Sequence, residues 1–202
     1  MRACNYGYER MNLALPGPVA GPCLEKDAYI LSDSATRYGI AVPLAMQGRK
    51  TNEHIVEHVT NSARSLVSDA PSSVAILGLA FKGRPGTSDV RGSLAANFAG
   101  SFLEEWPGAA VVGWDPLVSV KDSESMGIAF TELADALVAS SFVLVQTNHL
   151  FFSSEEFIDA VVQNAPAGAL IVDLWNQLHG VEDRRPDVRV VALGRMSLGA
   201  NA

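Results

Sequence analysis

From Ser73 onward the chain alternates between short uninterrupted apolar runs and amphipathic stretches. Val74–Leu77 stops at Gly78, Ala109–Trp114 stops at Asp115-Pro116, and Phe142–Gln146, Ala169–Asp173 and Val188–Leu193 follow. Each run has the length and residue content of a buried strand, which predicts five strands. Between them the apolar period changes. Leu94, Phe98, Phe102 and Trp106 recur every four residues behind Ser93, which can cap a helix. Thr131 opens a short helix to about Ala139, and Ser153-Ser154-Glu155-Glu156 has the form of a capping box before Phe157–Asn164. Continuously apolar strands separated by helices predict a parallel sheet covered on both faces. The fold class is therefore α/β, a doubly wound Rossmann-like domain whose ligands bind beyond the carboxyl ends of the strands.

Residues 1–70 have another texture. They read as helical, interrupted by Leu15-Pro16-Gly17-Pro18-Val19-Ala20-Gly21-Pro22, whose prolines and glycines exclude a regular helix. Leu24 to Tyr38 reads as a short helix, stopped near Gly39 and Pro43. Met46 to Ser68 reads as one long connecting helix with an apolar stripe at Ile55, Val59, Ala63 and Leu66/Val67. Asp69-Ala70-Pro71-Ser72-Ser73 then breaks it. The predicted division is a helical segment, 1–70, followed by the α/β domain, 71–202.

With 202 residues, 48% hydrophobic and 18% charged, the chain has ordinary globular composition. A net charge of −7 argues against a nucleic-acid or anionic-membrane partner, so an anionic ligand must be met by a local group of Lys and Arg. No apolar run approaches the ~20 residues of a membrane span. Met1–Ala20 lacks the apolar middle of a signal peptide, which points to the cytoplasm. Two cysteines, Cys4 and Cys23, are too few for a disulfide scaffold.

Two constellations carry candidate chemistry. In the first, Cys23 stands where the glycine-rich loop meets a helix start, with Lys26 and Asp27 close behind. Free backbone N–H groups, the helix dipole and Lys26 would favour a thiolate nucleophile, and Asp27 could orient a water. The alternative is a buried free Cys followed by a surface Glu-Lys-Asp run. The second is Gly78 to Ser93, the loop after the first strand, with Lys82, Arg84 and Arg91 in an otherwise acidic chain. These cations suit phosphate or carboxylate; the alternative is a solvated turn in which Asp89 pairs with Arg91. The loop matches neither Gly-x-Gly-x-x-Gly nor the Walker lysine pattern. Asp115 ends a strand as a ribose-binding acid does, but lies well beyond the usual ~20-residue offset. His54 and His58 lack a third ligand, so no metal site is predicted.

Taken together, these segments resemble the UDP-glucose/GDP-mannose dehydrogenase family. Its members share a Gly-x-x-Gly-Gly-x-Cys-x-x-x-Asp loop, then Gly-Leu-Ala-Phe-Lys and Thr-x-Asp-x-Arg-x-Ser opening the last domain. The counterparts are Gly17, Gly21, Cys23, Lys26 and Asp27, then Gly78 to Lys82, then Thr87, Asp89, Arg91 and Ser93; Arg49, Asn52 and Asp115-Pro116 also match. The resemblance implies an NAD-dependent oxidoreductase that oxidises the C6 alcohol of a UDP- or GDP-sugar to a uronic acid for polysaccharide biosynthesis. It implies that Cys23 adds to the intermediate aldehyde, that hydride loss gives a thioester, and that Asp27 assists its hydrolysis. It further implies that Gly17, Gly21, Phe81 and Lys82 contact the nucleotide sugar, that Arg91 reaches toward NAD, and that the long helix forms a homodimer interface.

There are departures. The family's NAD-binding first domain is absent, so NAD would be held mainly by another domain or a separate chain, and this chain alone would be inactive. Ala20 replaces a usual glycine, and two extra residues separate Lys82 from Thr87. Asp173-Leu174-Trp175-Asn176 stands where some members carry Asp-Gly-Arg. The leading expectation is the carboxyl-terminal part of a nucleotide-sugar dehydrogenase. The alternative is a non-catalytic UDP-sugar-binding or dimerisation module.

Overall fold

The structure, a computed structural model, describes residues 16–194; Cys4 lies outside them. Three helices come first: α1 (Asp27–Thr36), α2 (Pro43–Glu53) and α3 (Ile55–Leu66). Then follow β1 (Ser73–Leu77), α4 (Ala95–Glu105), β2 (Ala110–Trp114), α5 (Val120–Ser125), β3 (Ala129–Phe130), α6 (Leu133–Ala139) and β4 (Phe142–Val145). A single 3-10 turn (Leu150–Ser153) leads into α7 (Glu155–Asn164), β5 (Leu170–Asp173), α8 (Val181–Arg184) and β6 (Arg189–Ala192). The strands form one six-stranded sheet in the order β3-β2-β1-β4-β5-β6, and every pairing is parallel.

Every residue of β1, β4 and β5 is buried, as strands covered on both faces must be. Their side chains alternate between two cores. Val74 and Ile76 join Phe98, Phe102 and Trp106 of the α4 region, whereas Ala75 and Leu77 join Leu137, Phe152, Phe157 and Val161 on the opposite face. Phe102 stands edge-on to Phe142 at 5.1 Å between ring centres. Each such fully buried ring stabilises the fold by roughly 1.5–3 kcal/mol.

The departures from the sequence expectations have local causes. A sixth strand, β3, exists; it has only two residues, too few for a period of alternation to show. The long helix begins at Pro43 and is broken for one residue at His54, whose Nδ1 lies 2.7 Å from the Lys50 carbonyl. Ser154, not Ser153, caps α7, accepting from Phe157 N at 3.2 Å with no reciprocal carboxylate. Val59, Ala63 and Leu66, the buried part of the α3 stripe, pack into this chain's own core beside α4. That stripe therefore supplies no free dimer face. Among the described residues, no helix is long and apolar enough to cross a membrane, and no group of three His, Cys, Asp or Glu side chains could hold a metal ion.

Candidate functional site

The strand order reverses between β1 and β4, and the crevice beyond their carboxyl ends is where a doubly wound sheet receives ligands. The chain leaves β1 through Gly78 and immediately meets Asp115. Asp115 is 5% exposed; its Oδ2 accepts from Leu79 N (2.7 Å) and Ala80 N (3.1 Å), and its Oδ1 from Leu117 N (2.8 Å) and Val118 N (3.1 Å). This carboxylate is a clamp that fixes the start of the β1–α4 loop. It is not a ribose acid, because both oxygens are occupied by backbone donors. Further along, Phe81 N donates to Asp89 O (3.0 Å), and Arg84 Nε to the Asn148 carbonyl (2.8 Å). Lys82 Nζ stands 5.2 Å from the centre of the Phe81 ring.

The loop that carries Cys23 is laid across this crevice by close packing and hydrogen bonds. A Cβ on Gly17 would fall 2.5 Å from the Trp175 ring, so only glycine lets the backbone rest there. Gly21 has φ +108° and would place a Cβ 2.7 Å from the Phe81 ring; its N–H donates to the Gly92 carbonyl at 3.0 Å. From the other side the Asn52 carboxamide grips Val19, accepting from its N–H (2.7 Å) and donating to its carbonyl (2.6 Å). That grip gives a physical reason for the asparagine singled out in the sequence. Arg49, one helical turn earlier, pairs with Glu53 at 2.9 Å.

Cys23 is exposed and free, which overturns the reading of a buried structural cysteine. It does not sit on the bare start of a helix. Helix α1 begins four residues later behind Lys26, and the N–H groups of Lys26 and Asp27 both point to the Cys23 carbonyl, not its sulfur. What surrounds the thiol is charge. Lys26 Nζ pairs with Asp27 Oδ1 at 3.0 Å, and Arg91 forks onto Asp89, with the shortest contact 2.7 Å. Both cations hold their protons more tightly than usual. The main cause is the hydrogen bond and charge of Asp27 for Lys26, and of Asp89 for Arg91, with Cys23 adding to each. Hydrogen bonds from the Arg91 side chain and backbone in turn lower the Asp89 carboxyl to about 2. The Asp89–Arg91 pair foreseen as the alternative for this turn is thus present.

A cavity of about 480 Å³ opens where the two loops meet. Gly21, Cys23, Phe81, Lys82, Arg84 and Arg91 all line it, so residues far apart in sequence share one space. Gly17, Lys26 and Asp27 do not line it: Gly17 packs beside it on Trp175, while Lys26 and Asp27 flank the cysteine. Gln146, Thr147 and Asn148 line it too, which the sequence did not single out, as does Trp175, from the segment that replaces Asp-Gly-Arg. Their position just after β4 and β5 was the available signal. A second hollow, of about 610 Å³, lies behind the cysteine loop, with Glu25, Glu53 and Glu104 facing a single Arg49. Carboxylates predominate there, so it does not suit an anion.

The profile of the UDP-glucose/GDP-mannose dehydrogenase family, UDP binding domain, matches residues 75–180. No curated protein sequence matches the chain. Among solved structures, the chain is similar to the NDP-N-acetyl-D-galactosaminuronic acid dehydrogenase of Methanosarcina mazei, with TM-score 0.75 and 23% identity over 94% of this chain and 41% of that one. It is also similar to the UDP-D-ManNAc dehydrogenase of Pyrococcus horikoshii, with TM-score 0.71 and 22% identity over 96% of this chain and 43% of that one. A ternary complex of the GDP-mannose dehydrogenase of Pseudomonas aeruginosa gives TM-score 0.65 and 19% identity, covering 90% and 41%. At these identities the likeness shows a shared fold, and the chain spans about two fifths of the length of each. With the profile match covering the strands and loops that build the crevice, the chain belongs to the UDP-glucose/GDP-mannose dehydrogenase family and carries its UDP-binding domain.

Proposed function

We propose that this chain is the nucleotide-sugar-holding, thiol-bearing part of an NAD-dependent dehydrogenase that oxidises C6 of a UDP- or GDP-sugar to the uronic acid. The observation that carries this reading is the convergence of Cys23 with Phe81, Lys82 and Arg91 on one cavity. Lys82 and Arg84 supply positive charge for the diphosphate. Gly21 and Gly17 keep the loop backbone close over the ligand, and Phe81 and Trp175 support it from below. Cys23 adds its sulfur to the C6 aldehyde, and the acyl stage it carries is a thioester, which water hydrolyses. Asp27, paired with Lys26 beside the cysteine, takes a proton from that water. NAD, when bound, accepts the hydrides that leave C6. Of this chain's residues, Arg91 suits contact with it, because its side chain lines the cavity and is 76% exposed. The rest of the NAD site lies outside these residues, since the β1–α4 loop has no Gly-x-Gly-x-x-Gly.

An exposed thiol that lines the same cavity as Lys82 and Arg84 favours this reading over a module that only binds. Calorimetry with UDP, UDP-glucose and GDP-mannose tests it, with heat expected from at least one. Silence from all three would refute it. Cys23→Ser should bind the sugar nucleotide as the wild type does, yet give no acyl-enzyme when an NAD-domain chain is supplied. Equal turnover of the two proteins removes Cys23 from the mechanism.

A further inference from the structure

Three side-chain oxygens among the described residues are buried without a hydrogen-bond partner: Gln146 Oε1, Thr147 Oγ1 and Gln177 Oε1. They are not scattered. Gln146 and Thr147 directly follow β4, at the point where the strand order reverses, and Gln177 donates its Nε2 to the Thr147 carbonyl at 2.9 Å. The backbone beneath them is fixed. Gln146 N donates to Leu77 O at 2.8 Å, and its carbonyl accepts from Trp175 Nε1 at 2.9 Å. Gln146 and Thr147 are 3% and 2% exposed, and both line the cavity. Buried acceptors are almost always answered, so a held cluster of unanswered ones beside a ligand cavity calls for a donor from the ligand.

The cysteine loop shows which part of the ligand that is. Along the loop, Gly17 rests on Trp175, Gly21 on Phe81, and Cys23 lies beyond, near Arg91. A ligand that follows the loop has one end at the thiol and the other toward Trp175 and Gln146, passing Phe81 and Lys82 on the way. A sugar nucleotide whose reacting carbon is at Cys23 and whose diphosphate meets Lys82 puts its nucleoside at the far end. Phosphate oxygens only accept hydrogen bonds, so they can take a proton from the Thr147 hydroxyl but cannot satisfy the amide oxygens of Gln146 and Gln177; a ribose hydroxyl or a ring N–H can.

We propose that Gln146 and Thr147, backed by Gln177, form the nucleoside-reading end of the cavity and select a ligand that presents a hydrogen-bond donor there. This rests on the reading of the cavity as a sugar-nucleotide site, and it adds specificity residues to that reading. The test is calorimetry on the whole chain with UDP, its 2′-deoxy analogue and its N3-methyl analogue. At least one analogue should bind about tenfold more weakly than UDP. Loss with the deoxy compound names the ribose hydroxyl as the donor, and loss with the methyl compound names the imide N–H. The same gap should shrink several-fold in Gln146→Leu or in the shape-conserving Thr147→Val. Equal binding of UDP and both analogues overturns the proposal, and so does a gap that survives in both variants. Neither result touches the broader reading, which fails only if UDP and the sugar nucleotides do not bind. The wild-type comparison needs no variant, so a mutant that does not fold leaves the test intact.

Discussion

Replacing Asp115 separates a structural clamp from a ligand-binding acid. In Asp115→Ala the N–H groups of Leu79, Ala80, Leu117 and Val118 all lose their acceptor. Leu117 is 48% exposed and can turn to water, but Leu79, Ala80 and Val118 are buried. Each stranded buried donor costs about 1–3 kcal/mol. Partial entry of water keeps the total near the lower end of that sum, at about 3–5 kcal/mol, as for other broken buried charge networks. Asp115→Asn should lose at least about 2 kcal/mol, because its NH2 group would face two backbone donors whichever way the amide turns. Urea unfolding followed by circular dichroism reads this directly. With a slope of about 2 kcal/mol per molar, the alanine variant's midpoint should fall by roughly 1.5–2.5 M with the slope unchanged. An alanine variant within about 1 kcal/mol of wild type refutes the clamp, as does an asparagine variant that is fully stable yet fails to bind nucleotide.

Three further outcomes are expected. Gly21→Ala combines a disfavoured positive φ with a collision against Phe81; it should lose about 1–3 kcal/mol of stability and weaken UDP binding, measured by thermal melts and calorimetry. Asn52→Ala should lose only about 0.5–1.5 kcal/mol, because the grip is near the surface, yet exchange of the Val19 amide should speed up markedly. The Asp89 carboxyl is lowered to about 2 by Arg91, so its stabilising contribution is complete above about pH 4 and is lost as pH falls from there through about 2. Carboxyl carbon shifts followed by NMR should show that midpoint in the wild type and a return toward 4 in Arg91→Ala; an unchanged midpoint would disprove the pairing.

The central architecture was legible because β1, β4 and β5 are buried on both faces, which writes them into the sequence as unbroken apolar runs. The two-residue β3 and the six-residue α5 are too short to carry a period, and so went unseen. The break at His54 went unseen because the backbone bonds across it are kept, His54 N to the Lys50 carbonyl at 3.1 Å and His58 N to the His54 carbonyl at 2.9 Å. Cys23, Phe81, Lys82 and Arg91 could be picked out because each sits in a compact local motif. Gln146 and Thr147 could not, since each gains meaning only when β4 and β5 are laid beside β1. The clamp role of Asp115 was hidden for the same reason: its partners Leu79 and Ala80 are a whole helix and strand earlier in the chain.

The pairing of charges around Cys23 also bears on how fast a ligand arrives. Lys26 and Arg91 are each matched by their own carboxylate, so beyond roughly one ~10 Å screening length they present almost no net field. What an approaching dianion feels from farther out is the chain's overall −7. Encounter should therefore be held back in dilute buffer and quicken as salt is added, with Lys82 and Arg84 capturing the phosphates only over the last few ångströms.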